Sequence, residues 1–429
     1  MNATLPIDDA PAFRAVMTFL RRWQIPGWIL FSAGLAFSIS LCNWAIFSFV
    51  LLPIIIRSDL TRRAPLYHTP LDWPFAALYA SMVAASATAY LVGGAEFGNR
   101  SFLWTLTYTA PLVYYTVAFG LPGQPRRLLT AMLWIFFIGA AANSAYAVYQ
   151  FARAVAEGAD VCTVRPGGRL FYMTYGGVMM LAITVVVATF VRGRLSGKAK
   201  IALAALLAVM LAGLAASLVR SAWVGLAASV FVIAVIAERR LLWAFPVVVV
   251  LAVLIAPRPI IKRAESIINA ATERAEGEAE GPPEFRVDIW RTTLRIARDY
   301  PITGIGVHNT MYLYDEYKDE ASIESQVPHA HNNYIQLVVE RGVLGFAAFV
   351  YFVVALLIFF VRGYRRARSP TARVLGLAGI GATAGFLVEG FFEYTFGDYE
   401  IMAIIYALAG ALAAASRPGD GEARLEQAP

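Results

Sequence analysis

The chain has 429 residues, of which 59% are hydrophobic and only 15% charged, with a mean hydropathy of +0.60. Soluble domains lie nearer half apolar and a quarter charged, so the composition excludes an ordinary soluble enzyme and points to a polytopic membrane protein. The net charge of +7 does not signal a nucleic-acid partner, because most Lys and Arg fall in short loops on alternate sides of apolar runs, as the positive-inside rule requires.

The N-terminal stretch carries Asp8 and Asp9 and has no small-residue cleavage site after a short apolar core. No signal peptide is read there, and the first span is expected to stay as the anchor. The run from Ile25 to Ile56 is long for one spanning helix and short for two. Cys42-Asn43 and the flanking tryptophans suggest two closely joined spans. Further apolar runs follow at Trp73 to Val92, Phe102 to Gly120, Leu128 to Phe151, Leu170 to Val191, Ile201 to Leu218, Trp223 to Ala237 and Leu241 to Ala256. After a polar interval come Tyr334 to Val361, Val374 to Phe392 and Ile401 to Ala415. At roughly 20 residues per span, the chain is expected to be an all-α protein with about 12 transmembrane helices.

With that count Arg21 and Arg22, Arg62 and Arg63, Arg126 and Arg127, Arg239 and Arg240, and the cluster from Arg362 to Arg373 share one side. That side and both termini are expected to be cytoplasmic. The opposite side receives the one extended polar stretch, Pro257 to Asn332, whose length marks it as functional. It contains two amphipathic helical patterns, Ile260 to Gly281 and Phe285 to Tyr300, the second stopped by Pro301. The expected division is therefore spans one to nine over residues 1–256, a long loop over 257–332, spans ten to twelve over 333–416, and a disordered tail over 417–429. Cys42 and Cys162 have no spacing that suggests zinc or a disulfide framework.

Several polar residues ask for an explanation in so apolar a chain. Arg220, between two spans at the outer face, is either a snorkelling turn residue or a ligand for phosphate or carboxylate. Arg291, Arg295 and Arg298 share one face of the second loop helix, where pairing with Asp288 or Asp299 is the ordinary outcome. Arg286 lies off that face near the helix N-terminus, and with Arg220 it would make a two-pronged phosphate clamp. His329 and His331 hold two of the chain's four histidines where the loop meets a span, and imidazole is the side chain best suited to take a proton near neutrality. A metal reading needs a third ligand, and none lies at a known zinc spacing. His308 and His68 read as structural or exposed. Glu389 and Glu393 near the outer end of the eleventh span need partners if buried, whereas Glu340 and Arg341 read as a pair in the first turns of a span.

The order Arg286-Val287-Asp288-Ile289-Trp290, Pro301-Ile302-Thr303-Gly304-Ile305-Gly306, His329-Ala330-His331-Asn332 and Glu340-Arg341-Gly342-Val343-Leu344-Gly345 resembles the O-antigen ligase and polymerase superfamily. His331-Asn332, followed after nine residues by Gly342-Val343-Leu344-Gly345, fits the ligase pattern. The resemblance implies a glycosyltransferase C-type membrane fold at the inner membrane of a Gram-negative cell, with the long loop and the active site periplasmic. It implies transfer of glycan from undecaprenyl pyrophosphate to lipid A-core among membrane lipids, with inversion and with neither metal nor other cofactor. The family's essential histidine falls on His331, and its two arginines fall on Arg220 and Arg286. His329, Asn332, Glu389 and Glu393 are candidates for supporting roles. The alternatives are an O-antigen polymerase, a protein O-glycosyltransferase of the same superfamily, or, from another class, a lipid-linked glycan flippase.

Overall fold

A computed structural model describes residues 11–61, 68–122, 126–161, 163–243, 282–319 and 327–416. Among the described residues the chain consists of helices and short connections, with no strand. Eight helical stretches are long and apolar enough to cross a membrane, and the apolar helix Tyr399–Ala415 is a little shorter. The protein is a polytopic α-helical membrane protein, as its composition implies. The ninth expected span (Leu241 to Ala256) beyond Trp243, the first amphipathic pattern (Ile260 to Gly281), Cys162 and the tail over 417–429 lie outside the described residues.

The region of the first two expected spans folds as α1 (Pro11–Phe37) and a returning limb made of α2 (Ile39–Trp44), a π-helical stretch (Ala45–Leu51) and α3 (Leu52–Thr61), of which Ile39–Ile56 is among the eight membrane-crossing stretches. The reversal occurs at Ser38, not at Cys42-Asn43. The Ser38 hydroxyl caps α2 by accepting from the Leu41 N–H at 3.3 Å, and glycine at position 34 lets the returning backbone pass close by. A Cβ there would lie 2.7 Å from the Cys42 nitrogen.

Helix α4 (Asp72–Thr107) is two limbs joined where Gly93 and Gly94 leave helical dihedrals. The Ser86 hydroxyl meets those of Ser101 at 2.9 Å and Thr105 at 3.0 Å, so the second limb runs back along the first. A break at Tyr108-Thr109 then leads into α5 (Ala110–Gly120), and the Tyr79 hydroxyl donates to the Tyr108 carbonyl at that break. Next come α6 (Arg126–Ala156), α7 (Tyr172–Arg192), α8 (Gly197–Ser217) and α9 (Arg220–Ala237).

The described part of the long polar stretch, residues 282–319 and 327–332, is largely helical. It supplies α10 (Pro282–Asp299) and α11 (Thr310–Tyr317), followed by α12 (Asn333–Arg365), α13 (Pro370–Glu389) and α14 (Tyr399–Ala415). Helix α10 buries Ile289, Thr292, Thr293, Ile296 and Ala297 on one face, the three- and four-residue spacing of an amphipathic helix. Its arginine row is solvated as expected: Arg291 pairs with Asp288 at 3.4 Å, and Arg295 with Asp319 at 2.7 Å. In the bundle, α7 and α13 are the most enclosed. Small residues make this possible, since Gly379, Gly381 and Gly385 of α13 take Phe360, Ile233 and Ser229 against their bare backbone.

The two glycine motifs, PITGIG and ERGVLG, are explained by a single interlock. Helix α12 is interrupted at Gly342 (φ 61, ψ −166), which frees the carbonyls of Val339 and Glu340 and the N–H groups of Val343 and Leu344. The Pro301–Gly306 turn fills the gap. Ile305 and Gly306 donate to Val339 and Glu340, both at 3.0 Å, while Val343 and Leu344 donate to Pro301 at 2.8 Å and Ile302 at 3.2 Å. Every backbone group opened by the break is thereby satisfied, as a low-dielectric setting demands. Gly304 is required for the same reason, because a Cβ there would lie 2.4 Å from the Glu340 carbonyl carbon.

Candidate functional site

The turn that starts α12 carries the histidines. Asn332 is its N-cap, with the side-chain oxygen accepting from the N–H groups of Tyr334 at 2.9 Å and Ile335 at 3.0 Å. The Asn332 amide nitrogen also donates to the Phe391 carbonyl at 3.0 Å, which ties the turn to the segment after α13. One residue earlier, His331 has φ 47, a left-handed conformation seldom taken by a residue with a Cβ. It is held there from both sides. The Ala330 N–H donates to Gln336 Oε1 at 2.7 Å, and the Asn333 N–H donates to the Gly390 carbonyl at 2.7 Å. Gln336 in turn donates to Thr310 Oγ1 at 2.9 Å and Glu340 Oε1 at 2.8 Å. Backbone strain held by a surplus of bonds is a common mark of a working site.

The segment after α13 supplies the partner. His331 Nδ1 lies 2.9 Å from Glu393 Oε1, and His329 Nδ1 lies 4.0 Å from the same oxygen. Glu393 is 4% exposed. Burial opposes its ionisation, but the hydrogen bond from His331, with the neighbouring imidazoles, outweighs it and holds the carboxyl below its usual range. An ionised carboxylate only accepts, so His331 Nδ1 carries the hydrogen of that bond, which leaves Nε2 as the nitrogen able to exchange a proton. Burial, reinforced by His331, pushes His329 down to about 4, so it is a neutral ring at physiological pH.

The arginines arrive from two other elements. Ser217, left-handed Leu218 (φ 55) and Val219 form the tight turn between α8 and α9, leaving Arg220 as the first residue of α9. A helix N-terminus favours anions, and a guanidinium at that position adds to the attraction. Arg286 on α10 donates to the Phe392 carbonyl at 2.7 Å and lies 3.7 Å from Glu393 Oε2. Arg220, Arg286 and Glu393 then line one open cleft of about 350 Å³ together with Tyr172, Met173, Val219 and Ser221.

His331, Arg220, Arg286 and Glu393, with His329 and Asn332 beside them, are thus brought together. Glu389 is not among the residues lining the cleft. It packs against Gly177 and Gly225, is fully buried, and neither of its carboxylate oxygens has a hydrogen-bond partner among the described residues. Glu340 and Arg341 do not form the pair expected of them. Glu340 accepts from the His308 N–H at 2.7 Å, whereas the Arg341 guanidinium lies 5.5 Å from the Phe396 ring centre. His308 is packed as a structural residue, its ring beside Trp104 at 4.3 Å.

The third ligand that spacing could not supply is also present in space. His329, His331 and Glu393 offer atoms within 4.8 Å of one another, a set able to hold a metal ion. Glu393 stands 62 positions from His331, beyond any sequence motif. Other contributors have no sequence signal at all, notably Gln336 and the Asp398–Thr174 hydrogen bond of 3.0 Å.

Fold and site define a polytopic helical membrane protein whose polar chemistry is gathered at one end of the bundle, where a histidine–carboxylate pair borders an arginine-lined cleft. A family model described as O-antigen ligase matches residues 205–350, from α8 into α12. Over those residues the chain is similar to the O-antigen ligase family, which agrees with the resemblance read from its motifs. No curated protein matches the sequence.

Proposed function

We propose that the protein transfers O-antigen glycan from undecaprenyl pyrophosphate to a sugar hydroxyl of lipid A-core, with the site on the periplasmic face of the bacterial inner membrane and a glycosyltransferase C-type arrangement of spans. The observation that carries this reading is that Glu393, which lines one cleft with Arg220 and Arg286, is also the partner of His331. A sugar on pyrophosphate is already activated, so the protein has to hold the phosphates and free one hydroxyl. Arg220 and Arg286 engage the pyrophosphate and stabilise the charge that grows on it as the glycosidic bond breaks. His331 Nε2 takes the proton from the acceptor hydroxyl while its oxygen bonds to the anomeric carbon, and the pyrophosphate leaves with the electron pair of the broken C–O bond. Glu393 fixes the tautomer and stabilises the imidazolium that forms. Attack and departure on opposite faces invert the configuration.

The polar groups gather at one end of the bundle, whereas a flippase would need a substrate site near mid-membrane. The test uses purified protein with lipid-linked donor and lipid A-core in proteoliposomes. Glycan on lipid A-core is the expected product. Long lipid-linked polymer instead would mark a polymerase, and donor crossing the bilayer with no new glycosidic bond would mark a transporter.

A further inference from the structure

Outside the arginine-lined cleft, the histidine turn has further ring neighbours. Glu393 meets both cleft and turn: Oε2 faces Arg286 at 3.7 Å, while Oε1 faces His331 at 2.9 Å and His329 at 4.0 Å. The His329 and His331 rings meet edge to face at 4.4 Å. His308 is tied to the same turn by hydrogen bonds: its N–H donates to Glu340 Oε1 at 2.7 Å, Gln336 donates to that oxygen at 2.8 Å, and Gln336 Oε1 accepts from the Ala330 N–H at 2.7 Å, while the His308 ring lies beside Trp104 at 4.3 Å and 37°. Neither Trp104, His308 nor His329 is among the residues lining the cleft that holds Arg220 and Arg286.

The Trp104–His308 pair is built with care. His308 has φ 64, a strained conformation for a residue with a Cβ. Its N–H is held by Glu340 at 2.7 Å, and the preceding N–H of Val307 is held by Ser101 Oγ at 2.7 Å. Asn309, next along, donates to the Ile305 carbonyl at 2.9 Å. Burial, with Arg100 nearby, keeps His308 below its usual value, so the ring on Trp104 is a neutral aromatic. Trp104 is nevertheless 47% exposed. A half-open indole whose ring is fixed by a strained neighbour exceeds what an interfacial aromatic belt requires.

We propose that Trp104 and His308 form the subsite for the acceptor sugar, an aromatic platform taking the apolar C–H face of an aldose ring so that its hydroxyl points at His331. This rests on the transfer reading given above and deepens it. In a single displacement the nucleophile and the leaving group lie on opposite sides of the anomeric carbon. With phosphates in the cleft at Arg220 and Arg286, the acceptor belongs outside that cleft, and Trp104 and His308 are an aromatic pair that does not line it and is tied to the His331 turn through Glu340 and Gln336. An aromatic surface suits a sugar because its ring presents C–H groups of partial positive charge to the negative π face.

The test pairs two measurements on the full-length protein in detergent. The first is binding of core oligosaccharide, released from lipid A-core by mild acid, with no donor present. The second is the KM for each substrate in the transfer assay. Trp104→Leu keeps an apolar side chain for lipid contact but removes the flat ring; His308→Gly keeps the backbone conformation and the N–H bond to Glu340. Each is expected to weaken oligosaccharide binding and raise the acceptor KM about tenfold, equivalent to roughly 1.4 kcal/mol, with the donor KM unchanged. Trp104→Phe is expected to retain most of the affinity. Wild-type oligosaccharide affinity in Trp104→Leu overturns the subsite while leaving the transfer reading intact, and so does a rise confined to the donor KM. Binding that depends on Trp104 in a protein that forms no glycosidic bond supports the subsite and overturns the transfer reading instead.

Discussion

The interlock at Gly342 gives the sharpest prediction about how the site is held, because the perturbation can be worked through atom by atom. In Gly342→Ala the backbone must keep φ 61 and ψ −166, a region essentially reserved for glycine, at a cost of about 1–3 kcal/mol. The new Cβ would lie 2.2 Å from the Ile302 carbonyl oxygen, 2.3 Å from its carbon and 2.5 Å from the Thr303 nitrogen. All three are backbone atoms, so no rotamer change relieves the contact. The Pro301–Gly306 turn has to withdraw, which endangers four backbone hydrogen bonds worth about 1 kcal/mol each. The sum, about 5–7 kcal/mol if all four are lost, is a large share of the roughly 5–15 kcal/mol by which folded domains are stable. The turn directly follows α10, which carries Arg286, and it grips α12, whose start carries His331. Transfer should therefore fail even where the fold survives. Gly158 is a suitable control: it has φ 93, and a Cβ at that position would meet nothing within 4 Å, so Gly158→Ala meets only the backbone cost. Thermal denaturation in detergent and the transfer assay on both variants test the argument. A Gly342→Ala protein that melts within about 2 °C of wild type and transfers glycan normally would refute it.

Three further outcomes follow from the site. Glu393→Gln should lower kcat about 100-fold or more with the donor KM little changed, because an amide no longer fixes the His331 tautomer or stabilises its charged form; kcat near that of wild type would remove Glu393 from the mechanism. Burial, relieved in part by the Thr174 hydroxyl, pushes Asp398 up to about 7, whereas an unfolded Asp titrates near about 3.9. The native state then binds more protons between those values, so this group's contribution to stability declines as pH rises from about 4 to about 7. Asp398→Asn lacks that decline, so its melting temperature should gain on wild type across the window and level off above it; a pH-independent difference would contradict the assignment. Transfer should persist in excess EDTA, and a loss restored by one divalent cation would place that ion on His329, His331 and Glu393.

Much of the fold is legible in the sequence because membrane spans announce themselves by length and hydropathy alone. The closely joined first pair, the amphipathic α10 and the stop at Pro301 all follow from local pattern. The position of the first reversal does not: Ser38 wins over Cys42-Asn43 because a hydroxyl cap and the bare backbone of Gly34 act together across two limbs. At the site, Arg220, Arg286 and His331 stand out by charge and chemistry in an apolar context, and they converge on one place. Glu393 is one of two acidic candidates that spacing cannot rank. What separates it from Glu389 is a single helical turn, one carboxylate meeting His331 and the other packed against Gly177 and Gly225. His308, Gln336 and the split of Glu340 from Arg341 are tertiary facts. They arise because the helix break at Gly342 lets a distant turn enter α12, and no period in the sequence encodes that.

The central claim is that His331 frees the acceptor hydroxyl while the arginines hold the donor. The most direct measurement compares His331→Ala with wild type in purified form, reading glycan transfer to lipid A-core and lipid-linked donor affinity on the same samples. The account predicts that transfer is abolished in His331→Ala while donor affinity stays near wild type. Transfer at close to the wild-type rate would contradict it.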